Sequence, residues 1–296
     1  MIPFTKAHAC GNDFLIVTEE AAADHDWVNL TRSLCARNTG IGADGIEFFA
    51  FTGPNSGRIR LHNADGSVAE ISGNGTRCVA AYMARELGCK PGDTLEIATD
   101  AGVRVCQINA INSTAGFTVG VTTGMGIPAF EPKTVTLTEA FAAPFAAPRG
   151  FDKFKRAKPY EDPVVQGMAV STGNPHFVIV VDNPDFTVEA KSWTAIGAET
   201  CIHPDFPHQT NVEFLRVLNP NEIEIRIFER GVGPTTSSGT GSSASATAAI
   251  ALGLANSPLT VVAPGGPQTV TWAGPGTELY LTGPAALICR GEAFYK

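Results

Sequence analysis

Ser72-Gly73-Asn74-Gly75-Thr76 and Ser238-Gly239-Thr240-Gly241-Ser242 are two copies of one pattern, and each opens a run of small apolar residues that predicts a helix. Closely spaced glycines let backbone N–H groups converge on one point, and a helix N-terminus adds partial positive charge. Each copy therefore reads as a cradle for a carboxylate or phosphate, with a hydroxyl in its first position. A second pair, Gly11-Asn12-Asp13-Phe14 and Gly173-Asn174-Pro175-His176-Phe177, recurs at almost the same interval. Two matches in register predict a duplicated chain rather than unrelated glycine turns: two homologous halves of about 120–150 residues, with a small anionic substrate held in a cleft where the cradles meet.

The 296 residues exceed the usual size of a single core and hold enough apolar side chains for two. A net charge of −8, with no block of lysine or arginine, argues against a nucleic-acid partner or an anionic membrane surface. No run reaches the ~18 apolar residues of a transmembrane helix. The first residues, Met1 to His8, lack the layout of a signal peptide, so a cytoplasmic place is expected. The seven cysteines are odd in number and form no Cys-x-x-Cys pair, which predicts neither a disulfide framework nor a zinc site. Cys201 and His203 alone lack the further ligands a metal needs.

Strand signals fall at 14–18, 45–51, 58–63, 94–98, 102–109 and 118–122, and again at 166–170, 177–181, 211–218, 222–228, 259–263, 269–272 and 278–282. Helix signals fall at 27–38, 77–87, 189–201 and 243–254. The pattern is α+β, with a central helix after each cradle packed on a curved sheet. Residues 1–123 form the expected first half, 124–283 the second, and 284–296 a return to the first. Residues 140–163, rich in alanine, proline and phenylalanine, read as a surface insertion. Gly239 to Ala244 formally fits a dinucleotide-binding glycine motif, yet no buried strand precedes it and no acidic residue follows at the required distance.

The blocks His62-Asn63-Ala64-Asp65-Gly66-Ser67 and Ser72 to Cys78 resemble the first active-site region of diaminopimelate epimerases. Gly11 to Phe14, Gly40 to Gly45, Gly173 to His176 and Glu229-Arg230-Gly231 through Gly241 resemble the family's other blocks, in the same order. The resemblance spans essentially the whole chain. It implies an α+β fold of two pseudo-symmetric domains, each a β-barrel-like sheet around a central helix. It also implies cofactor-independent inversion of an amino-acid α-carbon, interconverting LL- and meso-diaminopimelate for lysine and peptidoglycan synthesis.

In that family one cysteine removes the α-proton and a second supplies a proton to the opposite face; here both positions are serine, Ser72 and Ser238. A thiol ionises near 8.5 and an alcohol lies closer to water at about 15.7, a gap worth ~10 kcal/mol. Serine chemistry therefore needs a further base, and the family positions His176 and Glu229 are the candidates to take the hydroxyl proton. Cys10 and Cys78 are the other thiols near the blocks, Cys78 matching a family cysteine outside the reacting pair.

The resemblance assigns the α-carboxylate to Gly73, Asn74, Gly239 and Thr240, and the ammonium groups and distal carboxylate to Asn12, Asn63, Asn174, Asn211, Glu229 and Arg230. The expected partner is a small zwitterionic amino acid, with no cofactor, metal, nucleic acid or membrane, and with a homodimer left open. Gly45 stands where a glutamine is common, and Pro234 where an acidic residue is usual. Three readings stay open: an epimerase, a proline racemase-like dehydratase or double-bond isomerase on the same scaffold, and a non-catalytic diamino-acid-binding protein.

Overall fold

Parallel neighbouring strands need a crossover to join them, usually a helix, and that requirement organises this chain. A computed structural model describes residues 1–69, 71–114, 116–136, 164–188 and 190–295. The expected insertion at 140–163 lies outside the described residues, as does position 189 of the third expected helix. The chain divides into two compact units, residues 1–124 with 281–296, and residues 125–280.

The first unit runs β1 (Ile2–Ala9), β2 (Asn12–Thr18), α1 (Trp27–Cys35), β3 (Gly45–Gly53), β4 (Ser56–Asn63), β5 (Val68–Ala69), α2 (Gly73–Leu87), β6 (Thr94–Thr99), β7 (Gly102–Asn112) and β8 (Phe117–Gly126). The second runs β9 (Ala129–Thr136), β10 (Val164–Ser171), β11 (Pro175–Val180), α3 (Trp193–Cys201), β12 (Asn211–Asn219), β13 (Glu222–Glu229), β14 (Gly233–Thr235), α4 (Gly239–Ala251), β15 (Leu259–Ala263) and β16 (Gly266–Trp272), after which β17 (Leu279–Ala293) carries the chain back into the first unit. One topology occurs twice. Strands β2 and β3 pair in parallel across α1, as β11 and β12 do across α3. Strands β4 and β6 pair in parallel across α2, as β13 and β15 do across α4. β17 returns to β1 in antiparallel register, from Ile2 opposite Ala293 to His8 opposite Ala286.

In the first unit α2 is buried on all sides from Gly73 to Ala81 and again at Met83 and Ala84, as a helix enclosed by its sheet must be. Its Cys78, Val79, Ala80, Ala81, Met83 and Ala84 form one core with side chains from β1, β2, β3, β4, β6, β7, β8 and β17. In the second unit α4 is buried from Gly239 to Ala249. Every side chain there is Ser, Thr, Ala or absent, which lets strands approach the helix axis closely.

Helix starts differ from the sequence reading, and the cause is local. The expected helices begin at 77 and 243; the observed ones begin at Gly73 and Gly239, so the cradle glycines lie inside the first turn. The Ser72 hydroxyl accepts the Gly75 N–H at 3.0 Å, and the Ser238 hydroxyl accepts that of Gly241 at 3.1 Å. Such an N-cap closes the turn and offsets the poor helix propensity of glycine. α2 ends at Gly88 in the left-handed region, at φ 68. Among the described residues no helix is long and apolar enough to cross a membrane.

Candidate active site

The second unit builds its half-site around a buried chain of polar groups. Asn174, just before β11, donates from Nδ2 to the Thr240 Oγ1 at 3.4 Å. The Asn174 Oδ1 lies 2.9 Å from the His176 Nε2, and the His176 Nδ1 lies 2.7 Å from the Glu213 Oε1. Thr240 in turn sits 3.3 Å from the Ser238 hydroxyl. A Cβ added to Gly241 would meet the Glu213 Oε1 at 2.8 Å and the Ser238 Oγ at 3.3 Å, so that carboxylate and that hydroxyl border the same small space. Side chains of His176 and Glu213 are wholly buried.

The register explains this convergence. Asn211 and Glu213 are two residues apart on β12 and therefore share a face, with His176 opposite Asn211 on the parallel neighbour. Asn211 fixes the loops: its Nδ2 donates to the Pro175 carbonyl at 3.1 Å, and its Oδ1 accepts the Arg230 N–H at 2.9 Å. Arg230 is exposed and places Nη1 2.8 Å from the His208 carbonyl. Glu229 ends β13, half-buried, opposite Gly233.

The first unit repeats the arrangement with different residues. Asn74 takes the place of Thr240 and donates to the Asn12 Oδ1 at 3.1 Å, while its own Oδ1 accepts the buried Arg77 Nη2 at 2.6 Å. Asn12 donates to Asp44 at 2.6 Å, and Arg37 bridges Asp44 and Asp13. Burial works against the Asp13 carboxylate, yet Arg37 and Lys6 hold it below the usual range. Asn63, half-buried at the end of β4, donates to the Ser67 hydroxyl at 3.0 Å.

Glu47 on β3 corresponds to Glu213 on β12. Gly45 and Glu47 stand to β2 as Asn211 and Glu213 stand to β11. A Cβ added to Gly75 would overlap the Glu47 Oε1 and lie 3.2 Å from the Ser72 Cβ. Glu47 is fully buried, neither of its oxygens has a hydrogen-bond partner, and burial pushes its carboxyl up to about 8. Phe14, in the place of His176, offers it no nitrogen.

Within each unit, then, the expected residues gather as Ser72, Gly73, Asn74 and Asn12, and as Ser238, Gly239, Thr240, Asn174, His176, Asn211 and Arg230. The direct bond from His176 to a serine is replaced: both ring nitrogens are engaged, by Glu213 and Asn174, and Ser238 is reached through Thr240. Gly45 lacks room for the glutamine common at its position, because a Cβ there would meet the His62 carbonyl at 2.6 Å. Cys78 is core, its thiol pushed far up by burial, and the buried Cys10 bonds with Arg77. Glu47, Glu213 and Arg77 are the residues that sequence reasoning missed. The signal for the first two is the repeat itself, since Gly45-Ile46-Glu47-Phe48 and Asn211-Val212-Glu213-Phe214 are a third matching pair.

A family model described as diaminopimelate epimerase matches residues 4–129 and 168–288. A diaminopimelate epimerase of Heliobacterium modesticaldum is 35% identical over 292 residues, covering 98% of both chains. One of Pseudomonas aeruginosa is 35% identical over 301 residues, covering 99% of both. Among solved structures, a predicted epimerase from Pseudomonas aeruginosa aligns over the full length of both chains with a TM-score of 0.69 at 15% identity. A probable proline racemase from Agrobacterium radiobacter aligns over all of this chain and 94% of its own, with a TM-score of 0.65 at 14% identity. At these identities the solved structures speak for the fold.

Proposed function

Since the chain belongs to the diaminopimelate epimerase family, we propose that it inverts the α-carbon of diaminopimelate without a cofactor, through Ser72 and Ser238. The observation that carries this reading is the duplicated half-site: a serine hydroxyl capping a buried helix, with a buried carboxyl against the glycine three residues on. Inversion needs one group to remove the α-proton and another to deliver a proton to the opposite face, and the chain supplies two matched sets.

Each serine oxygen already accepts a backbone N–H and lies at the positive end of a helix, which favours negative charge on that oxygen. Backbone N–H groups of Gly73, Asn74, Gly239 and Thr240 hold the α-carboxylate. Asn12, Asn63, Asn174, Asn211, Glu229 and Arg230 hold the remaining ammonium and carboxylate groups, with Arg230 as the bidentate partner. Glu213, whose Oε1 borders the same small space as the Ser238 hydroxyl, receives the Ser238 proton, and His176, hydrogen-bonded to that oxygen, completes the acid–base unit. Glu213 pairs with His176 while Glu47 has no hydrogen-bond partner, and that asymmetry favours, as the second reading, a one-sided proton shift on the same scaffold.

Proton NMR of LL-diaminopimelate with the protein in heavy water tests this. Loss of the α-hydrogen together with appearance of the meso isomer is expected. Saturable binding without exchange overturns the epimerase reading, and exchange without meso product favours the one-sided shift.

A further inference from the structure

We infer that Glu47 is the positioning residue that exchanges the hydroxyl proton of Ser72, the counterpart in the first unit of Glu213 in the second. Three observations carry it. The Glu47 Oε1 occupies the space against Gly75 that also borders the Ser72 side chain, as the Glu213 Oε1 does against Gly241 and Ser238. Neither Glu47 oxygen has a hydrogen-bond partner, although an unpaired buried carboxyl is costly and the surrounding core is otherwise apolar. Finally, Ser72 accepts from the Gly75 N–H, which leaves its own O–H to donate.

The groups facing Glu47 leave it little else to do. Ile16 of β2 and Leu61 of β4 flank it in register. From α2 the titratable neighbour is the Cys78 thiol, held neutral by burial. Arg77 turns its guanidinium toward Asn74 and Gly283. Burial keeps the isolated carboxyl protonated into the neutral range, so it stands as a proton donor, whereas Glu213 has a histidine beside it.

The transfer balances on this chain's own groups. As the Ser72 O–H gives its proton to the substrate carbanion, the new Cα–H bond forms and the Glu47 carboxyl proton passes to the Ser72 oxygen, leaving a carboxylate. In the reverse direction the Cα–H bond breaks toward Ser72 Oγ, and the hydroxyl proton returns to Glu47. The half-sites therefore differ in resting state, Glu47 loaded and Glu213 paired with its imidazole. This rests on the epimerase reading, and its test includes a readout that does not need turnover.

The test compares Glu47→Gln and Glu47→Asp with the parent chain. Glu47→Gln is expected to slow α-hydrogen exchange by ~10²–10³-fold with KM little changed. It is also expected to abolish the fall in rate near pH 8, and Glu47→Asp is expected to restore that pH dependence in part. Glu47→Gln with the parent's rate and pH profile overturns the inference.

Independently of turnover, Ser72→Cys provides a thiol whose alkylation by iodoacetamide is followed by peptide mass mapping across pH. A carboxylate ionising beside that thiol raises its pKa, so adding Glu47→Gln is expected to lower the alkylation midpoint by about one pH unit. An unmoved midpoint overturns the inference even where the parent chain shows no exchange. A moved midpoint in a chain without exchange keeps the Glu47–Ser72 coupling and rejects the epimerase reading instead.

Discussion

The Glu47 carboxyl fills the place that a side chain on Gly75 would take, so the strand and the first turn of the helix are cut to fit each other. The same fit recurs, less tightly, between Glu213 and Gly241.

Gly75→Ala therefore tests packing directly. A methyl normally favours a helix by ~1 kcal/mol over glycine, but here it displaces a buried carboxyl, and overpacking of this kind costs about 1–3 kcal/mol. Net destabilisation is expected, larger than for Gly241→Ala, and relieved when Glu47→Ala is added. Urea unfolding of the single and double variants checks the order; an equal or more stable Gly75→Ala chain would refute the fit.

Glu47 makes stability depend on pH in a direction opposite to that of an ion-paired carboxylate. Its folded-state value of about 8 lies above the ordinary 4.5. Between those values the unfolded chain releases this proton while the folded chain keeps it, so stability declines as pH rises from 4.5 to 8 and levels off above. Glu47→Gln lacks that term and is expected to gain on the parent by about 4 kcal/mol at pH 8 and by almost nothing at pH 4.5. Denaturant midpoints at pH 4.5, 6 and 8 measure the divergence. Parallel curves would count against a buried, titrating carboxyl.

His176 and Glu213 form a wholly buried pair. His176→Ala strands the carboxylate and is expected to lower stability by about 3–5 kcal/mol, whereas His176→Phe combined with Glu213→Leu, which removes both polar partners, is expected to cost less than either single change. Thermal unfolding of His176→Phe, Glu213→Leu and the double variant decides it, and additive losses would mean that the two side chains act separately.

Ser72→Cys with Ser238→Cys is expected to raise α-hydrogen exchange of LL-diaminopimelate ~10–100-fold, since thiols ionise near neutral pH at a helix N-terminus. Each thiol replaces an oxygen that already accepts a backbone N–H. Heavy-water NMR of the double variant gives the rate; no gain would mean that the serine positions do not carry the proton.

The cradles were legible because Ser-Gly-x-Gly ahead of an apolar run has one favoured local structure, a capped helix. Glu47 and Glu213 were not, because a lone acid inside a strand-forming run reads as a solvent-facing position; only the enclosing sheet turns them inward. β1 was hidden by Pro3, Lys6 and His8; Thr5, Ala7 and Ala9 form one buried face, while Ile2 packs in a separate core cluster. β17 was read as two strands because Gly283-Pro284 resembles a turn. In the structure the strand runs through it, and Gly283 lies against the Arg77 guanidinium, where a Cβ would meet the group at 3.3 Å. A local reading could not know that a buried arginine needs a bare backbone beside it.

The pairing of β17 with β1 has a consequence for the order of assembly. The second unit is one continuous stretch of chain, whereas the first draws on residues 1–124 and on 281–296. On the ribosome the whole second unit is translated before the strand that completes the first, so β1 waits through all of it for its last partner. During that interval the edge of β1 that β17 will cover has no mate from its own unit, and an unpaired edge is where a growing chain is most exposed to foreign strands.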